Sequence, residues 1–276
     1  MEKYLENNYQ FQPKIAIHLG KIDDVYSEEL KNKLNILKEN NITGMELNLT
    51  EFEQINPIEF KNYLNEFDVN LTKIATGSIA SKYNLSLSDT NKDIRNMTIE
   101  KCKKLIEFAS NFNAGIVFGY IKGGTAEDRS TAVELFIDSL MKLSEYSYNY
   151  QVPLIVEATN RYETSLANTV EEAVELIKGL DSPYLRVLPD TYHMNIEEIN
   201  FSETLFKYFN YFDSLHLSDN NRFYPGYGSI DFYSLFRFLK CLNYKGTFAI
   251  EGNIKNNFES DLKVSLDMIK SIVSRL

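Results

Sequence analysis

The sequence predicts one closed barrel of eight parallel strands, each followed by a helix, over residues 1–276 as a single domain. Three observations carry this. Short β-branched or apolar runs alternate with longer amphipathic stretches along the chain, which implies parallel pairing through right-handed crossovers. Eight such units fit into 276 residues, and a barrel of this kind takes about 250 residues. An open doubly wound sheet would need a glycine-rich phosphate loop after its first strand, and the segment there, His18-Leu19-Gly20-Lys21, has a single glycine.

The elements follow in order. The first strand run, Lys14–Leu19, leads to a helix with Leu30, Leu34, Ile36 and Leu37 on one side. Ser27 enters that helix ahead of Glu28 and Glu29, an N-cap with acids in the first turn. Gly44–Leu47 is the second strand and Leu71–Thr76 the third. A long irregular stretch, Gly77–Asp93, precedes a helix that carries Cys102, Leu105, Ile106, Phe108 and Ala109, with Thr98 before Glu100 as its cap. Gly115–Gly119 and Pro153–Glu157 are the fourth and fifth strands. Thr169 caps the next helix, where Val170, Ala173, Val174 and Ile177 share a face. Leu185–Asp190, Ser214–Leu217 and Thr247–Glu251 complete the set, with a second long irregular stretch, His216–Asp231, after the seventh strand. Both long loops follow strand C-termini, the face on which barrel enzymes place their sites. Residues 1–13 are expected across the N-terminal mouth.

Composition narrows the partners. The formal net charge is −10, and a nucleic-acid binder needs a basic surface for phosphates. No apolar run approaches the roughly 20 residues of a membrane span, and the N-terminal residues do not form a signal peptide. Cys102 and Cys241 make neither a disulfide framework nor a metal-ligand spacing and read as inert core thiols. A cytoplasmic protein is expected.

Four polar groups sit at or near the ends of otherwise apolar strands: Glu157 ends VPLIVE, Asp190 ends LRVLPD, His216 lies within SLHL, and Glu251 ends GTFAIE. Any one of them, taken alone, reads more readily as a solvated strand end. Four on consecutive strands, the fifth to the eighth, point to one site. Three carboxylates and one imidazole make a hard ligand set that suits one divalent ion, Mn²⁺, Mg²⁺ or Co²⁺, and Zn²⁺ less decisively. Glu163, His193 and Arg222 follow three of these residues closely and are placed to reach substrate hydroxyls. Their alternative readings are a helix-start acid, a cap or core histidine and a surface arginine. His18 ends the first strand and points either into the site or into the barrel core; Tyr120, Lys122 and Gly77-Ser78 lie at other strand ends where they could shape the pocket, without assigned roles. Gly226 and Gly228 read as turn glycines.

The segments EATNRYE (157–163), DTYHMNIEE (190–198) and HLSDNNRFYPGYGSID (216–231), with the Glu251 strand and residues 75–123, resemble the metal-dependent sugar isomerases and epimerases with the xylose-isomerase-like barrel. They most resemble the ketose 3-epimerases acting on tagatose or psicose. The resemblance implies that Glu157, Asp190, His216 and Glu251 bind one metal, with Mn²⁺ favoured. It further implies that Glu157 and Glu251 are the acid–base pair, that Glu163, His193 and Arg222 contact a sugar or sugar phosphate, and that the protein is a dimer or tetramer. Departures are Ala158 where proline is frequent, Gly252-Asn253 where Pro-Phe is frequent, and the absence of tryptophan. Two other classes remain open: a lyase resembling inosose dehydratase on the same metal site, and a non-catalytic sugar-binding barrel. The endonuclease IV type of barrel needs many more histidines than His18, His193 and His216.

Overall fold

The computed structural model describes residues 11–276. Its elements run β1 (Lys14–Ile22), α1 (Glu28–Glu39), β2 (Gly44–Leu49), α2 (Pro57–Asn65), β3 (Asn70–Ala75), α3 (Gly77–Tyr83), α4 (Lys92–Ser110), β4 (Gly115–Phe118), α5 (Arg129–Tyr150), β5 (Leu154–Glu157), α6 (Val170–Ile177), β6 (Leu185–Leu188), α7 (Thr191–Glu197), α8 (Phe201–Tyr208), β7 (Ser214–Leu217), α9 (Phe232–Cys241), β8 (Thr247–Ile250) and α10 (Phe258–Val273). All eight strands are parallel and adjacent in the order β6-β5-β4-β3-β2-β1-β8-β7. The remaining seam, β6 against β7, is closed by single bridges at Val187–Phe212 and Asp190–His216. This is the predicted barrel, nearly closed, and its last joint is made by two of the candidate ligands.

Apolar faces of the helices meet the outer faces of the strands. Leu30, Leu34 and Leu37 of α1 are fully buried, as are Cys102, Leu105, Ile106 and Ala109 of α4 and Val170 and Ala173 of α6. Inside the barrel Val117, Ile155 and Leu188, from β4, β5 and β6, form a small apolar plug under the C-terminal mouth. On the β1–β3 side the interior is charged instead. Glu46 and Lys73, register partners on β2 and β3, are both buried.

Three local expectations change. Ser27 and Thr169 do cap α1 and α6, accepting from the backbone N–H of Leu30 and Glu172. Thr98 does not cap α4. The helix begins about two turns earlier at an Asn91 cap, and the Thr98 hydroxyl donates back to the Ile94 carbonyl at 2.7 Å while accepting from Ser86 N–H at 3.1 Å. The Gly77–Asp93 stretch is not wholly irregular, because residues 77–83 form α3. Cys102 is buried, and burial pushes its thiol up to about 12, but Cys241 is exposed at the end of α9 and is not a core thiol. The expectation for residues 1–13 falls largely outside the described residues. Phe11 is buried with its ring edge-on to Phe236 and Phe248. No described helix is long and apolar enough to cross a membrane.

Candidate metal centre

β5, β6, β7 and β8 deliver Glu157, Asp190, His216 and Glu251 to one place at the C-terminal mouth. One donor atom from each lies within 4.8 Å of all the others. The placement follows from local chain structure. Pro189 ends β6 at Leu188, so Asp190 becomes the N-cap of α7, with its Oδ1 accepting from Tyr192 N–H at 2.7 Å. That leaves Oδ2 facing the cluster. The backbone at Gly119 leaves room for Glu157: a Cβ there would stand 2.5 Å from Glu157 Oε2.

The donor set fits a hard divalent ion. Three carboxylates bring negative charge, and the imidazole is oriented from behind. His216 Nε2 lies 2.8 Å from Glu46 Oε2. A carboxylate only accepts, so Nε2 donates to Glu46, and Nδ1 faces the cluster, 2.6 Å from Glu251 Oε2, to which it also donates, and 3.9 Å from Glu157 Oε1; with Nδ1 given up to an ion, Glu46 would hold the remaining proton on Nε2. Glu46 is in turn paired with Lys73 Nζ at 3.2 Å, and Lys73 with Asp213 at 3.1 Å. Burial opposes charge on the His216 ring, but the carboxylates of Glu46 and Glu251 raise its pKa well above the ordinary value. The two glutamates differ. Burial, with Glu251 and Asp190 nearby, pushes Glu157 up to about 8. Burial acts the same way on Glu251, yet Arg222, His18 and His216 hold it well below the carboxylate range.

All three residues expected to reach substrate, Glu163, His193 and Arg222, line the same cavity of about 140 Å³ as Glu157, His216 and Glu251. The Asn160 backbone N–H points at His193 Nδ1 at 3.1 Å, so that nitrogen accepts and Nε2 is left as the donor. Burial lowers the His193 pKa and keeps the ring neutral. Asn160 also donates from Nδ2 to Glu163 Oε1 at 3.2 Å. Arg222 is folded onto the cluster, with Nη1 2.7 Å from Asp190 Oδ2 and Nη2 2.9 Å from Glu251 Oε1. Its reading as a surface arginine is set aside, since its side chain is about one-quarter exposed and paired twice. Gly252 lets this happen: at φ +152° it allows the Arg222–Phe223 backbone to lie where a Cβ would meet carbonyl and carbon atoms at 2.9–3.0 Å.

A model of the xylose isomerase-like TIM barrel family matches residues 34–272. The chain belongs to that family. A D-psicose 3-epimerase of Enterocloster bolteae is 33% identical over 147 residues, covering 52% of this chain and 48% of that protein. A probable ketose 3-epimerase of Synechocystis is 27% identical over 222 residues, covering 75% of this chain and 73% of that one. The chain thus matches about half the length of the first of these relatives. Among solved structures, a 3-keto-D-glucoside 4-epimerase from E. coli superimposes with a TM-score of 0.79 at 22% identity, over 95% of this chain and 100% of that one.

Within this xylose isomerase-like barrel Glu46 and Asp219 escape sequence reading, while His18 and Lys122, noted there as strand-end residues, gain definite partners. Glu46 sits inside the run GMEL, and a charge within an apolar strand is the signal that could have found it. Lys122 is fully buried, with Nζ 2.6 Å from Thr159 Oγ1 and 3.0 Å from the Gly119 carbonyl. His18 lines the cavity, its Nδ1 3.6 Å from Glu251 Oε1. Asp219 organises the loop after β7: its two oxygens accept from the backbone N–H of Asn220, Gly226, Gly228 and Ile230 at 2.8–3.1 Å. Gly228 is there because a Cβ would collide with Asp219 at 2.3 Å.

Proposed function

We propose that the chain is a divalent-metal-dependent ketose epimerase. The observation that carries the reading is the convergence of Glu157, Asp190, His216 and Glu251 within 4.8 Å at the C-terminal mouth, in a chain whose relatives include ketose 3-epimerases. These four residues are the proposed ligands, and their oxygen-rich set favours Mn²⁺ over Zn²⁺. When bound, the ion supplies Lewis-acid stabilisation of negative charge on the substrate's carbonyl oxygen.

The protein's own groups do the remainder. A carbon beside a ketose carbonyl is weakly acidic, and inverting it requires a base on one face and an acid on the other. Glu157 and Glu251 come from β5 and β8 and share one cavity. One removes the proton to leave the enediolate, and the other returns a proton from the opposite side. His193 offers its Nε2–H and Glu163 its carboxylate to hydroxyls of the sugar. Arg222, held between Asp190 and Glu251, aims both carboxylates and helps hold Glu251 well below the ordinary carboxylate range.

The test is hydrogen exchange. Manganese-loaded protein in D₂O with D-fructose is expected to place deuterium at one carbon beside the carbonyl. Glu157→Gln and Glu251→Gln each lower that exchange by about 10²–10⁴-fold, the usual worth of a positioned acid or base. Full exchange in both variants would remove the two-glutamate scheme, and loss of water from the product would favour a lyase.

A further inference from the structure

A second cavity opens directly beside the first. It has a volume of about 1100 Å³ and shares Gly77 and Tyr120 with the catalytic cavity of about 140 Å³. The catalytic cavity alone lies below the roughly 300–1,000 Å³ of ordinary small-molecule sites. One wall of the larger cleft is α3 and the turn that follows it, and the other is the segment from Tyr120 to Asp128 after β4. The walls are tied together: Leu87 N–H donates to the Ile121 carbonyl at 2.9 Å, and Ser139 Oγ donates to the Leu87 carbonyl at 2.7 Å. At Gly123, φ +141°, a Cβ would stand 2.0 Å from Ser88 Oγ, so the two walls meet there in a way only glycine allows.

The lining has a definite chemistry. Hydroxyls, an amide and the carboxylates of Asp89, Glu127 and Asp128 line it beside the apolar Ala80, Leu85, Ala126 and Ala132, and none of its described lining residues is lysine or arginine. The nearest buried cation, Lys122, is already engaged by Thr159 and Gly119. Tyr120, at the junction, is half exposed, and an open aromatic face beside hydroxyls and carboxylates is what the apolar face of a sugar ring packs on while its hydroxyls find acceptors. A phosphate would meet three carboxylates there and no cationic side chain among the described lining residues, an arrangement that disfavours it.

We infer that this cleft is a second-sugar subsite and that the substrate is a ketose extended by a neutral glycosyl unit, not a sugar phosphate. The inference rests on the epimerase reading above. It is tested with three ligands that share the reacting ketose and differ only at O6: D-fructose, isomaltulose (a 6-O-glucosyl fructose) and D-fructose 6-phosphate. Saturation-transfer NMR on the manganese-loaded protein is expected to reach the glucosyl ring protons of isomaltulose. Deuterium exchange is expected to rank isomaltulose above fructose 6-phosphate. Ser81→Trp, an exposed α3 residue that lines only the larger cleft, is expected to lower the isomaltulose-to-fructose ratio of kcat/KM by about tenfold and leave fructose exchange unchanged. Thr125→Trp, on the opposite wall, should do the same and guards against a folding defect in either variant. Saturation confined to the fructosyl ring, an unchanged ratio in both variants, or preference for the phosphate overturns the subsite while leaving the epimerase reading intact. Glucosyl saturation without exchange in any ligand keeps the subsite and removes the reaction.

Discussion

The hydrogen bond between Glu46 and His216 decides more than its position behind the cluster suggests. An imidazole offers a metal one nitrogen only when the other holds the proton, and Glu46 makes that choice at 2.8 Å. Lys73 makes the choice durable by pairing with Glu46 at 3.2 Å in a fully buried setting, where an unpaired carboxylate would be costly. Glu46→Gln keeps the size and removes the charge. Calorimetric titration of the metal-free variant with Mn²⁺ is expected to show affinity lower by about 10–100-fold, the usual effect of losing such a supporting partner. An unchanged affinity would show that packing alone orients the ring. This residue was open to detection in the sequence, since a glutamate inside GMEL breaks an apolar run. What could not be read there is its partner, because His216 lies 170 positions away and register across β7, β8, β1 and β2 brings the two together.

At the scale of elements, the loop between β7 and α9 is organised chiefly around Asp219, with Asn220 and Asn221 each adding a bond across it. Asp219 gathers four backbone N–H groups, which a chain without regular structure must satisfy somehow. The loop in turn carries Arg222 at φ +63°, a conformation that costs energy in a non-glycine residue unless its surroundings enforce it. Asp219→Ala removes the acceptors. Amide hydrogen exchange over residues 226–230 is expected to speed up markedly, with a stability loss of about 1–3 kcal/mol for buried donors left unpaired. Exchange rates equal to the wild type would mean that the Phe223–Asn253 bridge suffices. The cap of α4 shows the limit of reading elements from a chain. Thr98 before Glu100 has the cap pattern, and so does Asn91 before Asp93. Helical periodicity alone did not separate them, and the helix runs from the earlier site because Thr98 is used to hold Ser86.

For the molecule as a whole, three carboxylates, an arginine and a histidine packed into one mouth are a store of electrostatic conflict that a divalent ion relieves. Adding Mn²⁺ to chelator-treated protein is expected to raise its stability by about 2.7 kcal/mol when free ion stands a hundredfold above the dissociation constant. A thermal transition indifferent to the ion would count against the site. Packing also separates the two thiols. Under native conditions a maleimide should label Cys241 alone, and both cysteines after unfolding, because Cys102 is buried with its thiol held near pKa 12. The alternation of strands and helices, and the acids and histidine ending strands five to eight, were determined by the sequence alone. Both are properties of local order: a period of two or 3.6, and a polar residue where an apolar run stops. Only the tertiary structure decided that Arg222 folds between Asp190 and Glu251, that Cys241 is exposed, that Glu46 and Lys73 stand behind His216, and that a cleft lined by hydroxyls and carboxylates adjoins the cavity of the cluster. Those depend on barrel closure, which sets side by side residues that neither period nor spacing connects.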